Sequence, residues 1–147
     1  MYGAFLFLHV LAATVWTGGH LVLAAAVLPR ALRERSPGVL LRFESRYERI
    51  GIPALLVQVA TGLWLAWQRS PDAAGWFDLD NPVARPIAAK LLLLVITMLF
   101  AIDARLRLIP KLRAENLNAM AWHIIPVTVV SVLFVAAGVS FRTGWLN

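Results

Sequence analysis

Four apolar stretches separated by polar and charged segments organise this chain of 147 residues. They run from Ala4 to Leu28, Ile52 to Trp67, Pro86 to Ile102 and Met120 to Val139. A helix rises about 1.5 Å per residue, so crossing a hydrocarbon layer takes roughly 20 residues, with a range of about 17–25. The first and fourth stretches meet that length alone. The second and third meet it once Trp67, Arg69 and Lys90 anchor or snorkel at the interface. The pattern predicts an all-α integral membrane four-helix bundle. It forms a single transmembrane domain over 1–147, with spans at about 4–28, 52–68, 86–106 and 119–140.

The segment between the first two spans has an order of its own. After Ser36-Pro37-Gly38, the residues Val39, Phe43, Tyr47 and Ile50 recur near helical spacing, with Arg42, Glu44, Arg46, Glu48 and Arg49 between them. This predicts an amphipathic cytoplasmic segment, either an interfacial helix or an extension of the second span. The loop after the second span carries Trp76, Phe77, Asp72, Asp78 and Asp80 and reads as outer surface.

Composition narrows the class further. With 60% hydrophobic residues and a mean hydropathy of +0.72, the chain has too little polar surface for an ordinary soluble domain. It contains no cysteine, which excludes disulfides, thiolate metal sites and iron–sulfur clusters. The first stretch lacks a basic start, carries two histidines and ends in Leu28-Pro29-Arg30, so it reads as a permanent span rather than a signal peptide.

The net charge of +6 is unevenly placed. Arg30, Arg33, Arg35, Arg42, Arg46 and Arg49 lie in the first loop, and Arg105, Arg107, Lys111 and Arg113 in the third. The positive-inside rule then puts these loops in the cytoplasm and both termini outside, the N-out/C-out arrangement. Contact with the lipid bilayer and its anionic headgroups accounts for the basic surplus, and no nucleic acid partner is expected.

Candidate chemistry lies in the few polar residues inside the spans. His9 and His20 stand eleven residues apart, three helical turns with a residual rotation of only ~20°, and Trp16 shares their stripe. The topology sorts the polar groups by depth. His9 and Lys90 form an outer pair, while His20, Gln58 and His123 form an inner group. Structural roles exist for each. His9 and Lys90 can reach outer headgroups, Gln58 can bond a neighbouring helix, and His20 and His123 can bond each other.

The functional reading of the inner group is a cofactor or metal site, because imidazoles inside hydrocarbon are costly. His20 and His123 have the chemistry of two axial ligands of a b-type haem, with Trp16 lining the ring. Gly18 and Gly19 omit side chains where a macrocycle or another helix must come close. Pro126 can bend the fourth span toward the site. Copper is the alternative: His9, His20 and His123 supply imidazoles and Met98 and Met120 thioethers.

The segment Phe7-Leu8-His9-Val10-Leu11-Ala12-Ala13-Thr14-Val15-Trp16-Thr17-Gly18-Gly19 resembles the opening span of CopD-type copper-resistance membrane proteins. It is also similar to HemJ, the membrane protoporphyrinogen oxidase. Lys90-Leu91-Leu92-Leu93-Leu94-Val95 resembles the third HemJ span, while Leu28-Pro29-Arg30 and Gly138-Val139-Ser140-Phe141-Arg142 look closer to the CopD side. The resemblance covers all four spans through short, apolar motifs. It implies a multi-pass protein of a bacterial-type inner membrane that handles haem b, a porphyrin or copper. By the HemJ likeness, His9 and Lys90 would be the catalytic pair. HemJ does not place a histidine directly after the Gly pair, and this chain adds His20 and His123.

Three functions are therefore expected in competition. The first is a haem b membrane oxidoreductase for electron transfer or porphyrinogen oxidation, with quinone or porphyrin as redox partner. The second is copper binding or uptake across the inner membrane. The third is a structural subunit of a membrane complex. A homodimer would help shield a large cofactor in so small a bundle.

Overall fold

The computed structural model describes residues 1–146, and its ordered elements are all helical. Four helices are long and apolar enough to cross a membrane: Tyr2–Glu34, Pro37–Arg69, Ala84–Lys111 and Ala114–Thr143. The chain is thus a multi-pass membrane protein. Residues such as Phe7, Leu56, Leu92 and Trp122 are exposed, as expected where the surrounding solvent is lipid.

Helix α1 (Tyr2–Val22) passes through a wide π turn, Leu23–Val27, into α2 (Leu28–Glu34). The cause is Pro29. It has no N–H, and its ring would strike the carbonyl four residues back, so the chain widens and Leu28 N–H reaches the Leu23 carbonyl instead. The same device recurs in the third span. Helix α4 (Ala84–Asp103) widens over Ala104–Leu108, just before Pro110, and Ile109 N–H bonds to the Ala104 carbonyl. Both widened turns lie at the end of the bundle that carries the basic loops.

Helix α3 runs unbroken from Pro37 to Arg69. Its 33 residues correspond to about 50 Å, well beyond the hydrocarbon thickness. The amphipathic segment is therefore an extension of the second span, not a separate interfacial helix. Arg35, in the left-handed conformation at φ 47°, ends α2, and Pro37 starts α3 two residues later. Helix α5 (Leu117–Thr143) is capped by Gly144, also left-handed at φ 72°.

The helices do not close into a symmetric bundle. Helix α1 packs on α3 and on α5, and α4 packs on α5, which gives the order α3–α1–α5–α4. At the basic-loop end Leu28, Ala31, Val39, Leu40, Leu117, Met120 and Ile124 form a dry core. Arg105 pairs with Glu48 across the same end. Toward the middle the contacts turn polar: Thr17 donates to the Ser131 carbonyl at 3.1 Å.

Candidate functional site

His9 and His20 are each held through Nδ1. Nδ1 of His9 lies 2.9 Å from the Gln58 carbonyl oxygen and 3.0 Å from the Thr61 hydroxyl. That hydroxyl donates its own proton to the Val57 carbonyl at 2.6 Å, so both partners accept from His9. A carbonyl oxygen can only accept, which fixes the proton on Nδ1 and leaves the Nε2 lone pair free in the neutral ring. Gly62 makes the approach possible, since a Cβ there would stand 2.9 Å from the His9 Cε1.

His20 repeats the arrangement on its own helix. Its Nδ1 donates to the Trp16 carbonyl at 2.9 Å, one turn back. Its ring packs on Trp16, with centroids 4.5 Å apart, and meets the edge of Tyr47 at 6.0 Å. The Tyr47 hydroxyl lies 3.1 Å from the Val15 carbonyl and 3.0 Å from that of Trp16, sharing one proton between them. The Tyr47 ring fills the space over Gly19, so the missing side chain there admits a helix neighbour. On the other flank Thr128 contacts the His20 carbonyl at 3.2 Å.

His123 turns toward the third span. Its Nδ1 lies 3.8 Å from an Asp103 carboxylate oxygen, and its ring meets Phe100 edge-on at 5.0 Å. Thr128, level with His20, is five residues further along α5, so His123 lies ~7 Å nearer the basic loops. His9 lies ~16 Å from His20 in the opposite direction. The three imidazoles thus occupy successive depths. The packing partners of His20 (Trp16 and Tyr47) and of His123 (Phe100 and Asp103) are disjoint, so the two rings face different helices.

Lys90 sits at the end of the bundle near the termini. Its ammonium lies 5.6 Å from the centre of the Phe141 ring, which Arg69 approaches at 5.7 Å from its own side. Gly138 clears the space it occupies, because a Cβ there would stand 3.3 Å from Nζ. Lys90 is within electrostatic reach of His9. No carboxylate lies within ion-pair distance of it among the described residues.

The remaining candidates separate clearly. Gln58 is buried, but its carbonyl rather than its amide makes the contact to His9, and its side-chain oxygen has no partner among the described residues. Met120 points into the dry core, and Met98 is 45% exposed on the outside of the bundle. Asp72 and Asp78 accept from the backbone of their own loop, at Ala74 and Asp80. No group of three His, Asp or Glu side chains suited to hold a metal occurs among the described residues. Two cavities, of about 280 and 510 Å³, lie at the basic-loop end, lined respectively by Arg30 and Arg42 and by Arg35 and Glu115.

Sequence reasoning did not find Tyr47, Thr61, Gly62 and Gly138 as site residues. Tyr47 was legible only as part of an amphipathic stripe. The two glycines had a signal, since they fall at the depths of His9 and Lys90.

A family model described as Copper resistance protein D, CopD, matches residues 41–141, more than half of the chain. No curated protein matches, and no solved structure does. The match bears out the CopD side of the resemblance and says nothing for the HemJ side.

Proposed function

The chain belongs to the CopD family, a family of copper-related membrane proteins, and on that premise we propose that it passes copper ions through its helical bundle. His9, His20 and His123 are the successive stations, and His9 and His20 offer Nε2. One observation carries this reading: His9 and His20 each donate Nδ1–H to a backbone carbonyl, and His123 turns Nδ1 toward the Asp103 carboxylate at 3.8 Å, an ion-pair distance. An imidazole anchored at Nδ1 and free at Nε2 is the usual state of a metal-ligating histidine, since the second bond fixes both tautomer and orientation. Imidazole suits copper, and the face of Trp16 beside His20 offers a further soft contact to a monovalent cation.

The spacing favours passage over storage. A tight copper site needs several ligands converging on one point, whereas these imidazoles stand alone at different depths. Single-ligand stations bind weakly, and a path requires that an ion leave each site as readily as it arrives. Lys90 opposes a cation at His9 and would keep that station sparsely filled.

A haem b clasped between His20 and His123 does not fit this arrangement, because their rings are packed against different helices of one chain. The experiment that tests the copper reading is Cu(I) uptake into proteoliposomes with a trapped chelating dye. His9→Ala, His20→Ala and His123→Ala should each slow uptake. A folded triple variant that transports at the wild-type rate overturns the proposal. An absorption spectrum of the purified protein tests it from the other side: a Soret band would replace copper with haem.

A further inference from the structure

The first half of α3 divides its charges between two faces. Arg42, Arg46 and Arg49 follow one another at spacings of four and three residues, so they form one stripe along the helix. All three are exposed, and none has an acidic partner within ion-pair distance among the described residues. Glu44 and Glu48 lie on the opposite face, where Glu48 pairs with Arg105 of the third span. No acidic residue in the first turn of α3 offsets the stripe.

The stripe leads into an open cavity of about 280 Å³ between the end of the first span and the start of α3. Arg30 and Arg42 form its charged side, and Ala26, Val27, Val39 and Phe43 its apolar side. Arg30 gives Nε to Glu34 at 2.8 Å. Its two Nη groups and the whole Arg42 guanidinium make no hydrogen bond among the described residues. The Arg42 guanidinium folds back over Gly38, where a Cβ would stand 3.2 Å from Nη1.

Register gives the depth of this cavity. Tyr47 bonds to the Val15 and Trp16 carbonyls, and Val39 and Phe43 share the cavity with Ala26 and Val27. The start of α3 therefore runs antiparallel beside the end of the first span. Its arginines lie level with the exposed Leu21, Val22 and Ala26 rather than beyond the apolar run. A basic strip beside a bare apolar strip matches the boundary between lipid headgroups and acyl chains.

We infer that the cavity holds the phosphate headgroup of one anionic phospholipid, drawn from the leaflet at the basic-loop end. The free Nη donors of Arg30 and Arg42 suit phosphate oxygens, which guanidinium groups grip in pairs. The acyl chains lie along Leu21 and Val22. The volume is close to the lower end of ligand pockets, about 300 Å³, so it takes a headgroup and leaves the chains outside. Two arginines against Glu34 leave a net positive charge, which selects an anionic over a zwitterionic lipid. This is a discrete site, beyond the diffuse attraction of basic loops for a charged membrane, and it does not depend on copper.

The test is native mass spectrometry of the full chain released from neutral detergent. Phosphatidylglycerol and phosphatidylcholine with the same acyl chains are supplied in equal amounts. The wild-type protein should retain one phosphatidylglycerol in preference to phosphatidylcholine by about tenfold or more. Arg30→Gln with Arg42→Gln should bring that ratio close to one. Lys111→Gln with Arg113→Gln, which removes the same charge from the third loop, should leave it unchanged. An equal loss in both double variants shows diffuse attraction and overturns the site. So does a wild-type protein without preference, or a preference that survives Arg30→Gln with Arg42→Gln. Retention of added inorganic phosphate in place of the lipid assigns the cavity to a soluble anion and overturns it too. Arg42→Gln alone, read in the same way, serves if the double variant does not fold. The readout contains no copper, so a failed copper reading leaves it untouched.

Discussion

Two adjacent glycines should respond to alanine in opposite ways. An alanine at Gly18 meets nothing within 4 Å, whereas one at Gly19 runs into the Tyr47 ring. In a helix interior, glycine is about 1 kcal/mol less favourable than alanine, so Gly18→Ala should be neutral or stabilising by up to that amount. Gly19→Ala gains the same propensity but must push Tyr47 aside, and overpacking a filled site costs about 1–3 kcal/mol. Displacing Tyr47 also removes its hydroxyl from the Val15 and Trp16 carbonyls, a net loss of about 1 kcal/mol. The balance is a destabilisation of about 1–3 kcal/mol for Gly19→Ala. The assay is thermal unfolding in one detergent, with Tyr47→Ala as the partner in a double-mutant cycle. On the Tyr47→Ala background Gly19→Ala should become harmless. Equal melting temperatures for Gly18→Ala and Gly19→Ala, or no coupling to Tyr47, would refute the claim that α1 and α3 meet through this ring.

Three further outcomes follow from the same geometry. Lys90→Met should strengthen Cu(I) binding at His9 severalfold, because it removes a positive charge that disfavours a cation there. Competition against a chromophoric Cu(I) chelator measures it, and weaker binding would contradict the repulsion. Gly62→Ala should weaken copper binding by crowding the His9 ring, whereas Gly138→Ala meets only the mobile tip of Lys90 and should be tolerated. The same competition assay compares them. Glu48→Gln should lower stability by no more than about 1 kcal/mol, and less in high salt, because its Arg105 partner is largely exposed. Unfolding at two ionic strengths decides it.

Much of the fold was legible because membrane crossing is a demand on length and apolarity, which sequence records directly. The four spans and the helical character of residues 39–50 followed from counting. The join of that segment to the second span did not, since an amphipathic stripe is the same whether it lies on a membrane or extends from one. The helix order α3–α1–α5–α4 was also out of reach. These helices are apolar nearly all round, so their periodicity singles out no buried face. Depth could be read along the chain, but rotation about the helix axis could not.

The same distinction separates what was found at the site from what was not. His9 and Lys90 were paired by depth, and each has a glycine opposite its tip, Gly62 and Gly138 respectively. His20 and His123 were also close in depth, yet one rotates toward Trp16 and Tyr47 and the other toward Phe100 and Asp103. A ligand needing both rings on one atom depends on that rotation. A path needing only a free Nε2 at each level does not. His9 and His20 share the anchoring of Nδ1 by a local acceptor, a carbonyl across the interface and a carbonyl one turn back, while His123 turns Nδ1 toward a carboxylate on the next helix at 3.8 Å. Two carbonyls reached by different routes thus hold the same nitrogen of His9 and of His20. Nδ1 is the ring nitrogen nearer the backbone and takes local acceptors first, so the copper reading turns on what the free Nε2 atoms bind, which the uptake assay decides.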